Sequence, residues 1–238
     1  MKKNKVKCDL NSCTMCRLCL PEWSSAIDNH RECYHFKKGE MLFREGDKVN
    51  GIYFIYAGTV KVHKHWGQEK ELIVRIARQG DIVGHRGLGQ DIYYPVSGTA
   101  LEPVNACFVD LDFFRSTLKV NHDFIFELLI FFATELKESE KNMRNLAHMP
   151  VKGRVSQALL NLQKKFGINN RGLIGFTLSR QDLASYAGTT YETVFRIMNE
   201  LIQEGIIRTE GKEIAILDEN RLQALTEQGA AANVPNQT

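Results

Sequence analysis

Thiols are the side chains whose spacing points most directly to chemistry. The chain has six cysteines, and three of them form the run Cys13-x2-Cys16-x2-Cys19, followed by Leu20-Pro21. In a reducing compartment, where disulfides are rare, clustered thiols favour metal or redox chemistry. Lysines in the first seven residues favour the thiolate, the form that binds metal. The spacing is similar to that of three ligands in an iron–sulfur cluster loop.

A fourth cluster ligand would have to come from elsewhere in the chain, and Cys107, Cys8 and Cys33 are the candidates. Four cysteines near a terminus also suit zinc, reversible disulfide chemistry or no role at all. Cys107 lies in an apolar, strand-like stretch and equally suits a small buried side chain. Histidines at 35, 63, 65 and 85 raise haem as a further ligand class, although scattered histidines more often occupy surface or core positions.

The composition excludes several classes of protein. Among 238 residues, 31 basic and 28 acidic side chains leave a net charge of +3, too small for a basic nucleic-acid coat. No apolar run reaches the roughly 18 residues of a membrane helix, and no apolar stretch follows the basic start, so we expect a cytoplasmic protein. We find no nucleophile–base pair, no phosphate-binding glycine loop and no His-Glu-x-x-His motif, and therefore expect no enzyme.

Residues 30–118 predict short strands separated by glycine turns, which is typical of an antiparallel roll or barrel. The apolar period then changes, and residues 119–149 predict one long helix with a heptad pattern. We expect one face of this helix to cover the roll and another to form a dimer interface. The interface residues predicted from the heptad are Ile125, Leu129, Phe132, Leu136, Met143 and Leu146.

The last third of the chain predicts a winged helix-turn-helix. After Pro150, the pattern indicates a helix over 151–166 and a short strand over 173–178. Ser179 and Thr190 are good N-caps for two further helices that are separated by Gly188. Residues 206–217 predict a two-stranded hairpin that turns at Gly211, and residues 223–238 predict a disordered tail.

Glu192 and Arg196 lie four residues apart on the exposed face of the second helix in this motif. An arginine fork binds guanine O6 and N7, and a carboxylate accepts from cytosine N4, so the pair is suited to reading G·C pairs. An ordinary helical ion pair is the alternative. Tyr191 and Phe195 share the face as further base-reading candidates. The candidates for phosphate contacts are Ser179, Arg180, Thr190 and Lys212.

These stretches together resemble the Crp/Fnr superfamily of bacterial transcription regulators over nearly the full length. The roll pattern falls on Phe36–Gly46, Gly51–Gly58 and Gly80–Gly84, and the DNA-binding pattern on Leu178–Ala184 and Glu192–Arg196. The resemblance is strongest to the Fnr-like branch. It implies an α+β fold: an N-terminal antiparallel β-roll like a cupin or cyclic-nucleotide-binding domain, a long dimerisation helix and a C-terminal winged helix-turn-helix. We expect the segments to be 1–29 (Cys-rich), 30–118 (roll), 119–149 (dimerisation helix), 150–222 (DNA-binding domain) and 223–238 (tail).

The resemblance also implies a mechanism and partners. A signal at the roll or the Cys-rich segment would reposition the two DNA readers of a homodimer on a near-palindromic operator, and RNA polymerase would be a further partner. Phe195 and Tyr191 depart from the residues of the oxygen-sensing and cyclic-AMP branches, which leaves the operator sequence open. The alternative class is a redox or metal-binding electron carrier that uses the N-terminal cysteines.

The resemblance to the family bears on two candidate effectors, a cyclic nucleotide and an iron–sulfur cluster. The resemblance disfavours a cyclic nucleotide, because Tyr94, Pro95 and Val96 stand near the position of the family's phosphate-binding arginine, and Arg86 comes too early in the sequence. A [4Fe-4S] cluster on Cys13, Cys16, Cys19 and Cys107 resembles the ligand arrangement of oxygen-sensing Fnr.

Overall fold

The computed structural model describes residues 2–3, 13–67 and 70–227. The chain divides into two units, residues 1–136 and 137–238. Cys8, one of the candidate cluster ligands, and residues 228–238 of the expected tail lie outside the described residues.

The first unit contains two antiparallel sheets. One has the strand order β1-β2-β9-β4-β7 and the other the order β3-β8-β5-β6. The strands are β1 (Lys2–Lys3), β2 (Arg31–Phe36), β3 (Met41–Phe43), β4 (Gly51–Ala57), β5 (Val60–Trp66), β6 (Lys70–Ala77), β7 (Ile82–Val83), β8 (Ser97–Ala100) and β9 (Val104–Asp110).

The core of this roll is apolar and rich in aromatic side chains contributed by both sheets. Phe36 and Val104 come from one sheet and Phe43 and Val60 from the other, and all four are buried in the same cluster. Alternating side chains along antiparallel strands point to opposite faces. The first sheet therefore has a second, outward face for the helices to cover.

In the described part of the first unit, four α-helices lie wholly or partly within it: α1 (Thr14–Leu18), α2 (Ser24–His30), α3 (Leu111–Val120) and α4 (His122–His148), the last of which continues into the second unit. The expectation of strands and turns up to residue 118 was wrong at its end, where α3 stands. The side chain of Asp110 accepts a hydrogen bond from Phe113 N at 2.9 Å. This N-cap starts α3 immediately after β9.

The Cys-rich segment is attached to the roll by hydrogen bonds that span much of the sequence. Thr14 donates to Gly80 O at 2.7 Å, and Trp23 Nε1 donates to Thr117 Oγ1 at 3.0 Å. Leu20 N donates to the buried side chain of Asn121 at 2.7 Å. Met15 and Ile27 are buried in a second core with Ile52, Phe54 and other residues.

The second unit continues with α5 (Val151–Phe166), α6 (Arg180–Ala187), α7 (Tyr191–Gln203), β10 (Ile207–Glu210), β11 (Glu213–Ile216) and α8 (Glu219–Glu227). Two expectations differ from this arrangement. Residues 173–178 form no strand and make only the isolated bridge Ile168↔Ile174. Helix α8 extends five residues into the segment expected to be disordered, because Asp218 accepts from Arg221 N and Leu222 is fully buried.

Candidate nucleic-acid interface and thiol cluster

Helices α6 and α7 are fixed by local caps at the positions expected from the sequence. The Ser179 side chain accepts from Asp182 N, and the Thr190 side chain accepts from Thr193 N. Gly188 ends α6 with φ 61° and ψ 48°, a left-handed conformation that glycine adopts without steric cost. The sequence therefore determines where α7 begins and at what angle the chain enters it.

The turn between α6 and α7 is also held from α5 by a residue that sequence reasoning missed. The Arg154 guanidinium donates to Met149 O at 2.8 Å, Ala187 O at 2.9 Å and Gly188 O at 3.2 Å. Burial lowers the pKa of Arg154. The contacts to Ala187 and Gly188 span more than 30 residues, so only the structure reveals them.

One face of α7 packs inward and the opposite face is exposed. Val194, Ile197, Met198 and Leu201 are buried, each 2 % exposed or less. The four side chains predicted to read bases are all exposed: Tyr191, Glu192, Phe195 and Arg196. The rings of Tyr191 and Phe195 stack with their centroids 6.5 Å apart.

Arg196 forms an ion pair with Glu200, whereas the sequence singled out the pairing with Glu192. Both carboxylates are four residues from Arg196, so spacing cannot distinguish them. The Arg196 side chain is 66 % exposed, and exposed ion pairs contribute little stability. The guanidinium can therefore exchange Glu200 for a ligand at small cost.

Of the candidates for phosphate contacts, Ser179, Thr190 and Lys212 are exposed, and the hydroxyls of the two capping residues already serve their helices. Arg180 is half-buried. Its Nη1 atom is buried without a hydrogen-bond partner among the described residues, and burial lowers its pKa. Lys212 lies in the turn of the β10–β11 hairpin.

The surface of α4 carries a run of large apolar side chains. Five of the six residues predicted to form the dimer interface are exposed: Ile125, Leu129, Leu136, Met143 and Leu146. Phe132 differs, because it is half-buried, packs against the second core and lies 5.5 Å from the His85 ring. Phe126 and Ile130, which the heptad pattern missed, are 60 % and 48 % exposed.

The buried face of α4 also carries a charged contact with the roll that the sequence did not indicate. Glu135 lies 3.0 Å from Arg75 Nε and 3.2 Å from Arg86 Nη2. His85 Nε2 is 3.9 Å from the same carboxylate. Burial, together with the charges of Arg75 and Arg86, lowers the pKa of His85 to about 3.

Five cysteines belong to the second core, and we call them the thiol cluster: Cys13, Cys16, Cys19, Cys33 and Cys107. Cys33 and Cys107 are paired across β2 and β9, with their Sγ atoms 3.6 Å apart. Cys13 and Cys19 flank α1 and are buried. Burial and the neighbouring Cys13 raise the pKa of the Cys19 thiol to about 12.

Comparison with known proteins identifies the family. Residues 34–121 match the cyclic nucleotide-binding domain, and residues 153–225 match the Crp-like helix-turn-helix domain. The cAMP-activated global transcriptional regulator CRP of Escherichia coli O6:H1 is 30 % identical over 193 residues, which cover 79 % of this chain and 90 % of the relative. The chain belongs to the Crp/Fnr family of transcription regulators. It is therefore a DNA-binding regulator and not an enzyme, as expected.

Members of both branches of the Crp/Fnr family are similar to the chain. The transcriptional activator protein Anr of Pseudomonas aeruginosa is 28 % identical over 221 residues, 90 % of each chain. The solved structure of FixK2 from Bradyrhizobium japonicum has a TM-score of 0.74 at 22 % identity, covering 82 % of this chain and 96 % of that chain. This likeness supports the expected α+β fold of β-roll, long helix and winged helix-turn-helix.

Packed side chains fill the stretch of the roll that was expected to stand near the family's phosphate-binding arginine. Tyr94 is buried, stacks on Phe43 at 4.7 Å and donates to Gly51 O at 2.7 Å. Val96 is buried in the same core. Arg86 forms an ion pair with Glu135.

The part of the chain that the structure describes contains no helix with the length and hydrophobicity needed to span a membrane.

Proposed function

We propose that the chain is a homodimeric, sequence-specific regulator whose two α7 helices read a near-palindromic operator, with the thiol cluster as its signal receiver. The exposed face of α7 carries the proposal. It presents an arginine, a carboxylate and two aromatic rings on a helix whose opposite face is fully buried. Such a helix is suited to the major groove, where arginine distinguishes guanine from the other bases.

Dimerisation is supported by the apolar surface of α4. A second copy of the same helix offers an equally apolar surface, and a two-fold interface pairs identical patches. Two readers related by that symmetry would contact half-sites about one helical turn apart. Such a protein would act in the cytoplasm and meet RNA polymerase at its promoters.

The thiol cluster fits an iron–sulfur group by the chemistry of its donors. Cys13, Cys16, Cys19 and Cys107 lie in or against one apolar core, and thiolates are the ligands that hold such clusters. A bound cluster would supply one-electron and oxygen reactivity at this point. Loss of the Cys19 proton would accompany its binding. The similarity to the anaerobic regulatory protein of Haemophilus influenzae, 28 % identical over 222 residues, supports a redox signal.

The other effectors and the alternative class receive less support. The packing around Tyr94 and Val96 disfavours a cyclic nucleotide, since positions 94–96 supply no basic side chain for its phosphate. The nearby Lys64 amino group already contacts Pro95 O at 3.2 Å and Glu45 at 3.1 Å. The electron-carrier alternative accounts for the cysteines, but it leaves the exposed face of α7 without a role.

Substitutions at Arg196 test whether α7 reads bases. Duplexes selected from a random pool by the wild-type protein supply the operator. Arg196→Ala should weaken operator binding by about 1–3 kcal/mol and relax base choice at one position of each half-site. Arg196→Lys keeps the charge but loses the fork, so it should relax the same position.

The matched control is Arg115→Ala, which removes the same charge from an exposed site on α3. It should leave base choice unchanged. Operator affinity within twofold of wild type for Arg196→Ala, or unaltered base choice in that variant, would contradict the assignment.

Anaerobic iron–sulfur reconstitution tests whether the thiol cluster binds an iron–sulfur group. Wild type should gain visible charge-transfer absorption together with bound iron and sulfide, and Cys16→Ser should lose both. Comparing Cys107→Ser, Cys33→Ser and Cys8→Ser identifies the fourth ligand, and we expect Cys107→Ser alone among these three to prevent assembly. Wild-type protein that binds zinc and no iron under these conditions would refute the cluster.

A further inference from the structure

The β5–β6 hairpin carries a group of metal-ligating side chains that the proposed function does not use. His63 and His65 are two residues apart on β5 and share one face, and Glu71 on β6 is the direct cross-strand partner of His65. His63 is paired with Ile73, so Glu71 is its diagonal neighbour on the opposite strand. The three side chains therefore converge on one point.

The distances between their ligand atoms suit a single ion. Glu71 Oε2 lies 2.9 Å from His63 Nδ1 and 3.8 Å from His65 Nε2, and one ligand atom from each residue lies within 4.8 Å of the others. Tetrahedral bonds of about 2.0–2.1 Å place neighbouring ligand atoms roughly 3.3 Å apart. The two measured distances bracket that value, so small side-chain rotations would complete the geometry.

The inner ligand is already oriented by a second contact. His63 is 1 % exposed, and its Nε2 lies 2.8 Å from Thr99 Oγ1. Its Nδ1 faces Glu71 Oε2 at 2.9 Å and has no further hydrogen-bond partner in the described part of the chain. With an ion bound, Nε2 would donate to Thr99 and Nδ1 would present its lone pair to the ion, which is the usual arrangement of a metal-bound histidine.

The carboxylate is oriented in the same way. Lys61 Nζ lies 2.7 Å from Glu71 Oε1, which leaves Oε2 directed at the histidines. The site is closed at the buried His63 and open at His65, whose side chain is 43 % exposed. Solvent can therefore supply a fourth ligand and gives an ion a way in.

We propose that His63, His65 and Glu71 form a binding site for a divalent first-row transition ion of the zinc type. Two imidazoles and one carboxylate are a frequent ligand set for zinc. The ion would join β5 to β6 near the end of the hairpin. This site stands apart from the thiol cluster, whose residues lie on α1, β2 and β9 or beside them, and the proposal does not depend on DNA reading.

Cobalt(II) titration of the full-length protein under reducing conditions tests the site, with zinc as the competing ion. Cobalt bound by nitrogen and oxygen gives weak visible bands, whereas thiolate-bound cobalt adds intense near-ultraviolet absorption, so the spectrum separates the two sites. Wild type should show saturable binding without the thiolate bands at this site. His65→Gln should weaken that binding at least about tenfold, since even second-shell losses cost 10- to 100-fold.

His148→Gln is the matched control, because it removes an exposed histidine from the end of α4. It should bind cobalt as wild type does. Since His65 is exposed, its variant should fold, and circular dichroism of the metal-free protein checks this. Glu71→Gln provides a second variant with the same expected loss. Wild-type affinity in both hairpin variants, thiolate-type spectra alone, or no saturable binding would each overturn the proposal.

Discussion

Truncating Leu129 should separate the two chains of the proposed dimer. Its side chain is 63 % exposed on α4. Burying a whole leucine side chain contributes roughly 1.5–3 kcal/mol, so covering this exposed part is worth about 1–2 kcal/mol. A two-fold interface contains the residue twice. Leu129→Ala should therefore cost about 2–4 kcal/mol, which raises the dimer dissociation constant roughly 30- to 1,000-fold.

Sedimentation velocity over a dilution series measures that constant without DNA. Alanine is the best helix former, so α4 should persist in the variant. Leu217→Ala is the matched control, because Leu217 is 57 % exposed and lies outside α4. It should leave the constant unchanged. A Leu129→Ala dimer as tight as wild type, or a wild-type protein that is monomeric at every concentration, would refute the α4 interface.

Three further expectations concern stability. Thr190→Ala removes the N-cap of α7 and should lower the free energy of unfolding of the second unit by about 0.5–2 kcal/mol in denaturant titration, whereas Thr190→Ser should restore it. Arg154→Met removes three hydrogen bonds to backbone carbonyls and should lower the free energy of unfolding by about 3–4.5 kcal/mol, at about 1–1.5 kcal/mol each. A loss below about 0.5 kcal/mol would contradict that role. The lowered pKa of His85 means that the unfolded chain binds this proton more readily, so stability should fall by up to about 5 kcal/mol between pH 6.5 and 3. His85→Asn should flatten that part of the pH profile, and an equally steep profile would show that other groups cause it.

Elements marked by local signals were predictable from the sequence. The caps Ser179 and Thr190 and the left-handed Gly188 set the ends of α6 and α7, and each acts within a few residues. Where glycine and apolar patterns compete, prediction was less accurate. Gly172 has φ 73°, and a Cβ at Gly175 would lie 2.5 Å from Phe166 O, so residues 173–178 follow a tight turn in place of a strand.

Contacts between distant residues were beyond prediction. The heptad assigned Phe132 to the dimer surface because spacing alone cannot tell which α4 residues face the roll. Tertiary packing likewise determines the contact of Glu135 with Arg75 and Arg86. It also determines the hydrogen bonds that Arg154 donates to the α6–α7 turn. For Arg196, two equivalent carboxylates at the same spacing left the partner undetermined by the sequence.

Changing the spacing between the half-sites of a selected operator tests most directly whether two copies of α7 read DNA as one rigid pair. Inserting about five base pairs, half a helical turn, at the centre places the half-sites on opposite faces of the duplex. We expect affinity to fall to that of a duplex with a single half-site. An insertion of about ten base pairs returns both half-sites to the same face of the duplex but leaves them one helical turn further apart. Unchanged affinity and two-to-one stoichiometry on the five-base-pair insertion would contradict the paired-reader arrangement.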